Sequence, residues 1–337
     1  FKRKNIYSIK VDKTIEILIV PNPNGKNAHQ DNVGIILEEN TILKILSKRY
    51  KKVSITNIKN KKDLQKLVKR KPDLVFSGVK YFLFGKEKIW LNNYLEIYKI
   101  PYIASSKSAL DNESDKNKAK QIIRLAKIKT ADFFTTYPNE HLNTKTIPIS
   151  FPLFIKPIKG GDSRGIDSNS IVHNFDSFKK KVLEIKKNHN LTSIAETYLT
   201  GREYSVGILE DSISGILRAL PVEIIVKKDI NGHSILDFNI KQNDEEKVIA
   251  VKDIKIFNKI SKLAKESFKA LGGKSLGRID IKMNSQGTPC FMEANLMPGL
   301  RKGYFYRACV LNLGMTYEDM IFTIANTGLS SNLNIKN

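Results

Sequence analysis

Short apolar runs alternate with segments of helical spacing through the first part of the chain, and this alternation limits the fold more than any other sequence feature. Apolar runs occupy residues 15–20, 53–58 and 73–78, and the first stops at a loop rich in proline, asparagine and glycine. Between these runs, residues 35–46 and 64–68 carry apolar side chains at helical intervals. Strands that alternate with helices form a parallel sheet. The sequence therefore predicts a small doubly wound α/β layer at its N-terminal end.

The pattern changes in the second half of the chain, where strands are predicted to follow one another. Residues 204–209 and 217–226 predict two neighbouring antiparallel strands. Residues 277–283 and 289–294 predict a second pair, joined by the turn Ser285-Gln286-Gly287. A separate sheet with antiparallel strands is therefore expected towards the C-terminal end.

The formal charge of the chain is +23, because 57 basic residues face 34 acidic ones. Such an excess raises the hypothesis of nucleic-acid binding. Only ten of the basic residues are arginine, however, and the 47 lysines (57 − 10) are spread over the whole chain. Because base readout favours arginine, we interpret the charge as the compositional bias of a solvated surface. A field that attracts anionic ligands such as nucleotides is compatible with this interpretation.

Three features of the sequence favour a cytoplasmic protein without a membrane partner. No unbroken apolar stretch approaches the roughly 18 residues that a membrane helix needs. No apolar segment follows the basic start Phe1-Lys2-Arg3-Lys4, so a signal peptide is not expected. Two cysteines, Cys290 and Cys309, are too few for a disulfide framework.

Three oxygen-bearing side chains fall on the predicted C-terminal strands. Glu293 and Asn295 are two residues apart, so a strand places both on one face. Asp280 joins them if its strand pairs with theirs through the turn at 285–287. Carboxylate and amide oxygens suit Mg²⁺, and a magnesium site is the interpretation that we favour. The alternative is a set of polar side chains on a solvent-facing strand.

A glycine-rich segment follows a predicted strand that delivers Lys156. The segment Gly160-Gly161-Asp162-Ser163-Arg164-Gly165 is neither a Walker A loop nor a dinucleotide fingerprint. Backbone N–H groups in such a loop are able to surround phosphates, and the preceding lysine favours that function. The alternative is a plain surface turn.

Two glutamates flank the next short turn. Glu196 ends an apolar strand, and Glu203 follows the turn at Gly201-Arg202. Carboxylates accept hydrogen bonds from an adenine amino group or from ribose hydroxyls. Ordinary solvent-facing acids are the alternative.

Taken together and in this order, these motifs resemble the ATP-grasp superfamily, and within it the D-alanine–D-alanine ligase group. The resemblance covers residues 115–327, and its specific parts are GREYSVGIL at 201–209, GRIDIK at 277–282 and EANLMPGL at 293–300. It implies an ATP-grasp fold in three parts. These are a small doubly wound N-terminal domain, a central α+β lid domain and a C-terminal mixed-sheet domain, expected at residues 1–108, 109–195 and 196–330.

The resemblance also implies roles by position. Asp280, Glu293 and Asn295 would hold two Mg²⁺ ions, with Mn²⁺ as an alternative ion. A further set would hold the phosphates, adenine and ribose of ATP: Lys116, Lys156, Gly161, Asp162, Glu196, Thr197, Leu199 and Glu203. The implied catalytic set consists of two oxyanion donors, a lysine that reaches the phosphates and a residue of the loop over the transferring phosphate: Arg278, the backbone N–H of Gly299, Lys241 and Ser163.

Several positions depart from the pattern of that group. Residues 31–37 hold no clear equivalent of the glutamate near the first substrate's amino group, and the acidic residues usual around 78–84 are missing. Asp162 stands where a serine is usual, and Gln242 stands where a tyrosine follows the lysine. Tyr304-Phe305 is the nearest match to a Ser-Leu pair that binds the second substrate's carboxylate. The ATP and Mg²⁺ positions are thus kept while both amino-acid pockets change. We therefore expect a substrate pair other than two D-alanines, with a charged or larger acceptor.

The implied activity is ATP-dependent coupling of a carboxylate to an amine through an acyl phosphate. Phosphoryl transfer needs positioning and charge neutralisation, which lysines and Mg²⁺ supply. Small-molecule carboxylates and amines, chiefly amino acids, are the expected partners, nucleic acid is not, and a homodimer is implied. The alternatives are a nucleotide-binding scaffold or regulator without ligase turnover, a different ATP-grasp reaction such as carboxylation, and a nucleic-acid-binding protein.

Overall fold

The N-terminal part of the chain forms a parallel sheet, as the alternating pattern predicts. The computed structural model describes residues 10–19, 34–161, 163–227 and 246–330. The sheet has the strand order β2–β1–β3. Its strands and their crossover helices are β1 (Val11–Leu18), α1 (Glu39–Leu46), β2 (Tyr50–Thr56), α2 (Lys61–Arg70) and β3 (Leu74–Ser77).

Helix α1 begins later than the apolar spacing from residue 35 predicts. The backbone N–H of Ile35 donates to the carbonyl of Gly78, 2.8 Å away, so this segment lies extended beside the end of β3. Gly34 makes the approach possible, because its φ is +149° and an added Cβ would lie 1.9 Å from the Gly78 oxygen. The close backbone contact therefore replaces the first turn of the predicted helix.

A hairpin and two helices follow the parallel sheet, and the sequence patterns did not predict them. Strands β4 (Tyr81–Phe84) and β5 (Glu87–Trp90) pair antiparallel around Gly85, whose φ is +64°. Helices α3 (Leu91–Ile97) and α4 (Lys107–Ser114) lead to the central part of the chain.

The central part is an antiparallel sheet covered by one long helix. Its strand order is β6–β9–β7–β8, and α6 buries Phe178, Val182 and Ile185 against it. The elements are α5 (Lys116–Leu125), β6 (Phe133–Thr136), β7 (Leu153–Pro157), β8 (Ile171–Val172), α6 (Phe175–His189) and β9 (Ser193–Thr197).

The C-terminal part is a five-stranded antiparallel sheet with the order β12–β11–β10–β13–β14. Its elements are β10 (Glu203–Glu210), β11 (Leu217–Ile225), β12 (Lys247–Ala250), α7 (Ile254–Ala270), β13 (Leu276–Met283), β14 (Pro289–Asn295), α8 (Tyr304–Leu313) and α9 (Tyr317–Ser330). Among the helices within the described ranges, none combines the length and the apolar character that crossing a bilayer requires.

One hydrophobic core joins the two ends of the chain. It includes Ile15 and Ile17 of the parallel sheet together with Ile279 of β13 and Ile324 of α9. Helix α9 lies against the parallel sheet so closely that a Cβ on Gly328 would stand 2.7 Å from Leu74. The N-terminal sheet and the C-terminal sheet are therefore packed as one body. The expected boundary after residue 195 falls within β9, and the three-domain division stays a prediction.

Phe268→Ala should lower the free energy of unfolding by about 3–5 kcal/mol, because it leaves a cavity in the shared core. The ring is fully buried and packs on Gly273 and Gly277, where an added Cβ would stand within 2.6 Å of it. Urea unfolding measures the loss. Leu125→Ala is the control, since Leu125 is 82% exposed and its removal should change stability by less than about 0.5 kcal/mol. Equal losses for both variants would contradict the packing described here.

Candidate active site

A cleft opens between the central sheet and the C-terminal sheet. It is lined by side chains from both, with lysines and the glycine-rich loop on one side and carboxylates on the other. Most of the site residues expected from the sequence line it: Lys116, Lys156, Gly161, Ser163, Glu196, Thr197, Leu199, Glu203, Asp280 and Glu293.

The remaining expected residues lie beside the cleft or outside the described part of the chain. Arg278 and Asn295 are direct partners across β13 and β14. Each stands two residues along its strand from a carboxylate that lines the cleft, and neither lines the cleft itself. Gly299 is an exposed residue in the otherwise buried loop after β14, and it does not line the cleft. Asp162 and Lys241 lie outside the described residues, as does Gln242.

Antiparallel pairing brings the two lining carboxylates face to face. Asp280 of β13 is the direct partner of Glu293 of β14, and the turn that joins the strands is the predicted one. Arg278 binds Asp280 through two hydrogen bonds, of 3.0 Å from Nε and 2.9 Å from Nη2. Ser205 of the neighbouring β10 donates its hydroxyl to the same carboxylate at 2.8 Å. Although burial opposes it, the Asp280 carboxylate raises the pKa of Arg278, so the guanidinium stays charged.

The donor chemistry at this edge of the sheet fits a divalent cation. Two carboxylates and one amide provide hard oxygen ligands, as Mg²⁺ requires. The side-chain nitrogen of Asn295 is buried without a hydrogen-bond partner. Because no hydrogen bond from this nitrogen fixes the amide, its oxygen is able to turn towards a cation. Within the described ranges, no three His, Cys, Asp or Glu residues are grouped as a metal site.

A buried cluster of two lysines and one glutamate lies on the opposite side of the cleft. The Nζ atom of Lys156 lies 3.0 Å from Oε1 of Glu196, and the Nζ atom of Lys120 lies 3.5 Å from Oε2. Burial lowers the pKa of Lys120 to about 8. Burial opposes ionisation of Glu196 too, but the two lysines nevertheless lower the pKa of its carboxyl. Sequence reasoning missed Lys120, which sits one helical turn after Lys116 in α5.

Lys116 of α5 holds the glycine-rich loop through hydrogen bonds, and the space above the backbone of Gly160 and Gly161 is empty. Lys116 donates from Nζ to the carbonyl oxygen of Gly160 at 2.7 Å, and its backbone N–H donates to Ile158 at 3.0 Å. Positions 160 and 161 have no atom within 4 Å of where a Cβ would stand, and Gly160 has a φ of +100°. The loop thus presents bare backbone to the space around it, as phosphate binding requires.

A second ion pair lies on the cleft wall near the end of β10. Lys282 of β13 is 3.3 Å from the carboxylate of Glu203, and both side chains are largely buried. Sequence reasoning did not single out Lys282. The sequence contained enough information to identify it. Lys282 is two residues after Asp280, and the period of a strand places both side chains on the same, cleft-facing side.

Tyr304, at the start of α8, also lines the cleft. Its hydroxyl donates to the carboxylate of the buried Glu246 at 2.5 Å. The Arg278 guanidinium lies 5.5 Å from the centre of the Tyr304 ring. Burial and the Glu246 carboxylate raise the pKa of Tyr304, so the phenol keeps its proton. Sequence reasoning noted Tyr304 but missed Glu246.

Fold and site together define an ATP-grasp protein. Two antiparallel sheets close on one cleft, with buried lysines and a glycine-rich loop on one wall and paired carboxylates on the other. The solved structures agree with this fold. A D-alanine–D-alanine ligase from Bacillus anthracis, complexed with ATP, has a TM-score of 0.68 at 21% identity, over 96% of this chain and 99% of that one. The VanG D-Ala:D-Ser ligase from Enterococcus faecalis has a TM-score of 0.69 at 18% identity, over 94% of this chain and 100% of that one.

Sequence comparison narrows the class to one family. The family described as "D-ala D-ala ligase C-terminus" matches residues 116–326. The D-alanine–D-alanine ligase of Aquifex aeolicus is 30% identical, over 77% of this chain and 84% of that protein. The corresponding ligase of Streptococcus uberis is 26% identical, over 68% of this chain and 65% of that protein. The chain belongs to the D-alanine–D-alanine ligase family, whose members are ATP-dependent ligases.

Glu196→Gln should lower the free energy of unfolding at pH 7 by about 3–5 kcal/mol, because it leaves two buried ammonium groups without a carboxylate. The loss should shrink between pH 7 and 10. Over that range the unpaired lysines of the folded variant release protons that unfolded lysines, with a pKa of about 10.4, still hold. Urea unfolding of the parent and the variant at pH 7 and at pH 10 measures this loss of unfolding free energy.

Glu266→Gln is the control for that comparison. Glu266 and Lys262 form an exposed pair 3.9 Å apart, which solvent screens, so the variant should stay within about 0.5 kcal/mol of the parent. A Glu196 variant no less stable than this control would contradict a buried ion pair.

Proposed function

We propose that the chain is a carboxylate–amine ligase that forms a peptide or amide bond at the expense of ATP, with release of ADP and phosphate. The observation that carries the proposal is the cleft itself, where buried lysines and the open glycine-rich loop face the carboxylate pair of Asp280 and Glu293. A nucleotide and two small substrates need this combination of anion-binding and cation-binding walls. Family membership supports the same reaction class.

Each wall has its own part in the proposed reaction. On the lysine wall, Lys116 and Lys156 neutralise phosphate charge, and Glu196 accepts from the adenine amino group. Backbone at Thr197 and Leu199 lines the adenine pocket, and Glu203 accepts from the ribose. These roles agree with the position of all these residues on the cleft surface.

The carboxylate wall is the proposed metal site. Asp280, Glu293 and Asn295 would hold two Mg²⁺ ions, which supply charge neutralisation for the transferring phosphoryl group when bound. Arg278 stays charged beside Asp280 and is the proposed donor to the oxyanion that forms when the amine attacks. Gly299, Lys241 and Ser163 complete the proposed catalytic set. The glycine-rich loop at 160–165 would cover the transferring phosphate and exclude water from the acyl phosphate.

The proposed substrate pair differs from two D-alanines. Tyr304 projects a large ring into the cleft, where its hydroxyl is already engaged by Glu246. That leaves less room than a serine would, and a different hydrogen-bonding surface. With Asp162 and Gln242, it is the proposed determinant of specificity for the amino-acid substrates.

We also propose a cytoplasmic location and a homodimer. Both cysteines are buried and unpaired, which agrees with a reducing compartment. The homodimer is implied by the resemblance to the ligase group, and the molar mass in solution by light scattering tests it.

Phosphate release that depends on ATP and Mg²⁺ should appear with one pair from a panel of D- and L-amino acids and small carboxylates, tested singly and in pairs. Mass spectrometry of the same mixtures should show an amide-linked product. Glu293→Ala is the blank. ATP binding without release for any pair would instead favour the alternative, a nucleotide-binding scaffold or regulator without ligase turnover.

Glu293→Gln should raise the Mg²⁺ concentration that gives half-maximal activity by about tenfold or more, because a carboxylate ligand becomes a neutral amide. EDTA should abolish turnover in the parent, and added Mg²⁺ or Mn²⁺ should restore it. Glu184→Gln is the matched control, since Glu184 lies on α6 and binds Lys181 at 3.0 Å, away from the cleft. An unchanged Mg²⁺ requirement in Glu293→Gln would show that Glu293 is not a ligand.

A further inference from the structure

Lys120 is the most completely buried charged side chain near the cleft, and the proposed reaction gives it no part. Its relative exposure is 0%, and it does not line the cleft. It lies one helical turn after Lys116, whose side chain does line the cleft. Helix α5 therefore presents one lysine to the ligand space and a second lysine behind it.

The ammonium group of Lys120 is fixed by three kinds of contact. It donates to the hydroxyl of Thr130 at 2.7 Å, and that hydroxyl donates to the carbonyl of Phe291 at 2.8 Å. The rings of Phe133 and Phe291 lie 5.6 and 6.0 Å from it, within range of a cation–π interaction. Glu196 lies on its remaining side, 3.5 Å away. A side chain held on so many sides has little freedom to follow a ligand.

The charges of the cluster do not balance. Lys120 and Lys156 each contribute one positive charge, and Glu196 contributes one negative charge, so the three side chains carry a net +1. The nearest other charges leave this excess in place, because the carboxylate of Glu293 and the ammonium group of Lys116 both act on Lys156 with opposite sign. All three side chains of the cluster are buried, and an excess of buried charge is costly. An anion that enters the cleft would remove this excess. Lys156 lines the cleft and is the lysine that such an anion reaches.

Departure of Lys156 would leave Glu196 in need of another cation. The carboxylate is 5% exposed, too little for water to replace the lysine. Lys120 already lies beside the other carboxylate oxygen and is held in place there. It therefore supplies the counter-charge that lets Lys156 leave.

We propose that Lys120 is a positioning residue of the nucleotide site, which holds and neutralises Glu196 while Lys156 turns from Glu196 to the nucleotide. This inference rests on the proposed nucleotide binding. It assigns different roles to the two lysines that contact Glu196: Lys120 stays with the glutamate, and Lys156 binds the nucleotide. Without Lys120, Glu196 retains Lys156, and the nucleotide loses both a cation and a correctly held carboxylate.

The test is a double-mutant cycle on the dissociation constant of ATP, measured by calorimetry with the parent, Lys120→Met, Glu196→Gln and the double variant. Lys120→Met should weaken binding about tenfold in the parent background. In the Glu196→Gln background, the same substitution should change binding by less than about twofold, because the carboxylate that Lys120 serves is gone. Equal weakening in both backgrounds, or no weakening in either, overturns the proposal.

Two further variants separate this role from a loss of structure. Lys118→Met is the matched control on the same helix, because Lys118 is exposed and paired with Asp111 at 2.7 Å. It should leave ATP affinity unchanged. Thr130→Val keeps the charge of Lys120 and removes the hydroxyl that holds it. It should weaken ATP binding by a smaller factor that Glu196→Gln again cancels, and it keeps the proposal testable if Lys120→Met does not fold.

Base selectivity gives a readout that a purely structural role would not change. Inosine triphosphate has an oxygen where adenine has its amino group, so it lacks the donor for Glu196. The preference for ATP over inosine triphosphate should fall in Lys120→Met and persist in Lys118→Met. An unchanged preference in Lys120→Met overturns the proposal. A parent protein that binds no ATP overturns both this inference and the proposed function. Tight ATP binding that is unchanged in Lys120→Met overturns the inference alone.

Discussion

The pairing of β13 with its two neighbours determines where the charged groups of the cleft wall lie. β10 on one side aligns Ser205 with Asp280, and β14 on the other side aligns Glu293 with it. A shift of one residue would turn these side chains to the opposite face of the sheet. That opposite face holds Ile279 and Ile281 in the shared core. Burial of the apolar face therefore maintains the register of the polar one, and the site gains its geometry from the same contacts that stabilise the fold.

The two walls of the cleft differ in how their charge is arranged. On the carboxylate wall, Arg278 and Lys282 each pair with one acid, so that wall is close to neutral apart from Glu293. On the other wall, Lys120 and Lys156 share Glu196 and leave a positive excess. Such an excess opposes folding and favours anion binding at the same position.

Local periodicity was sufficient to predict the parallel layer, the antiparallel strands and the polar residues that alternate along β13 and β14. It failed wherever a distant contact overrides the local pattern. Helix α1 begins late because Gly34 lies against Gly78, which spacing within residues 35–46 does not reveal. Lys120 was indistinguishable from the many surface lysines, since its burial depends on rings contributed by β6 and β14. Strand period was able to identify Lys282, whereas nothing local indicated that Glu246 meets Tyr304.

The packing of α9 on the parallel sheet has a consequence for synthesis of the chain. Leu74 of β3 meets Gly328, and Tyr50 at the start of β2 donates to Asn326 at 2.6 Å. The cover of the parallel sheet is thus encoded far downstream of the sheet itself. Until translation reaches α9, the apolar side of β1 and β3 lacks that cover. The nascent segment that holds β1 and β3 must therefore remain free of aggregation until α9 is made, and the abundant charge of its lysines favours solubility during that interval.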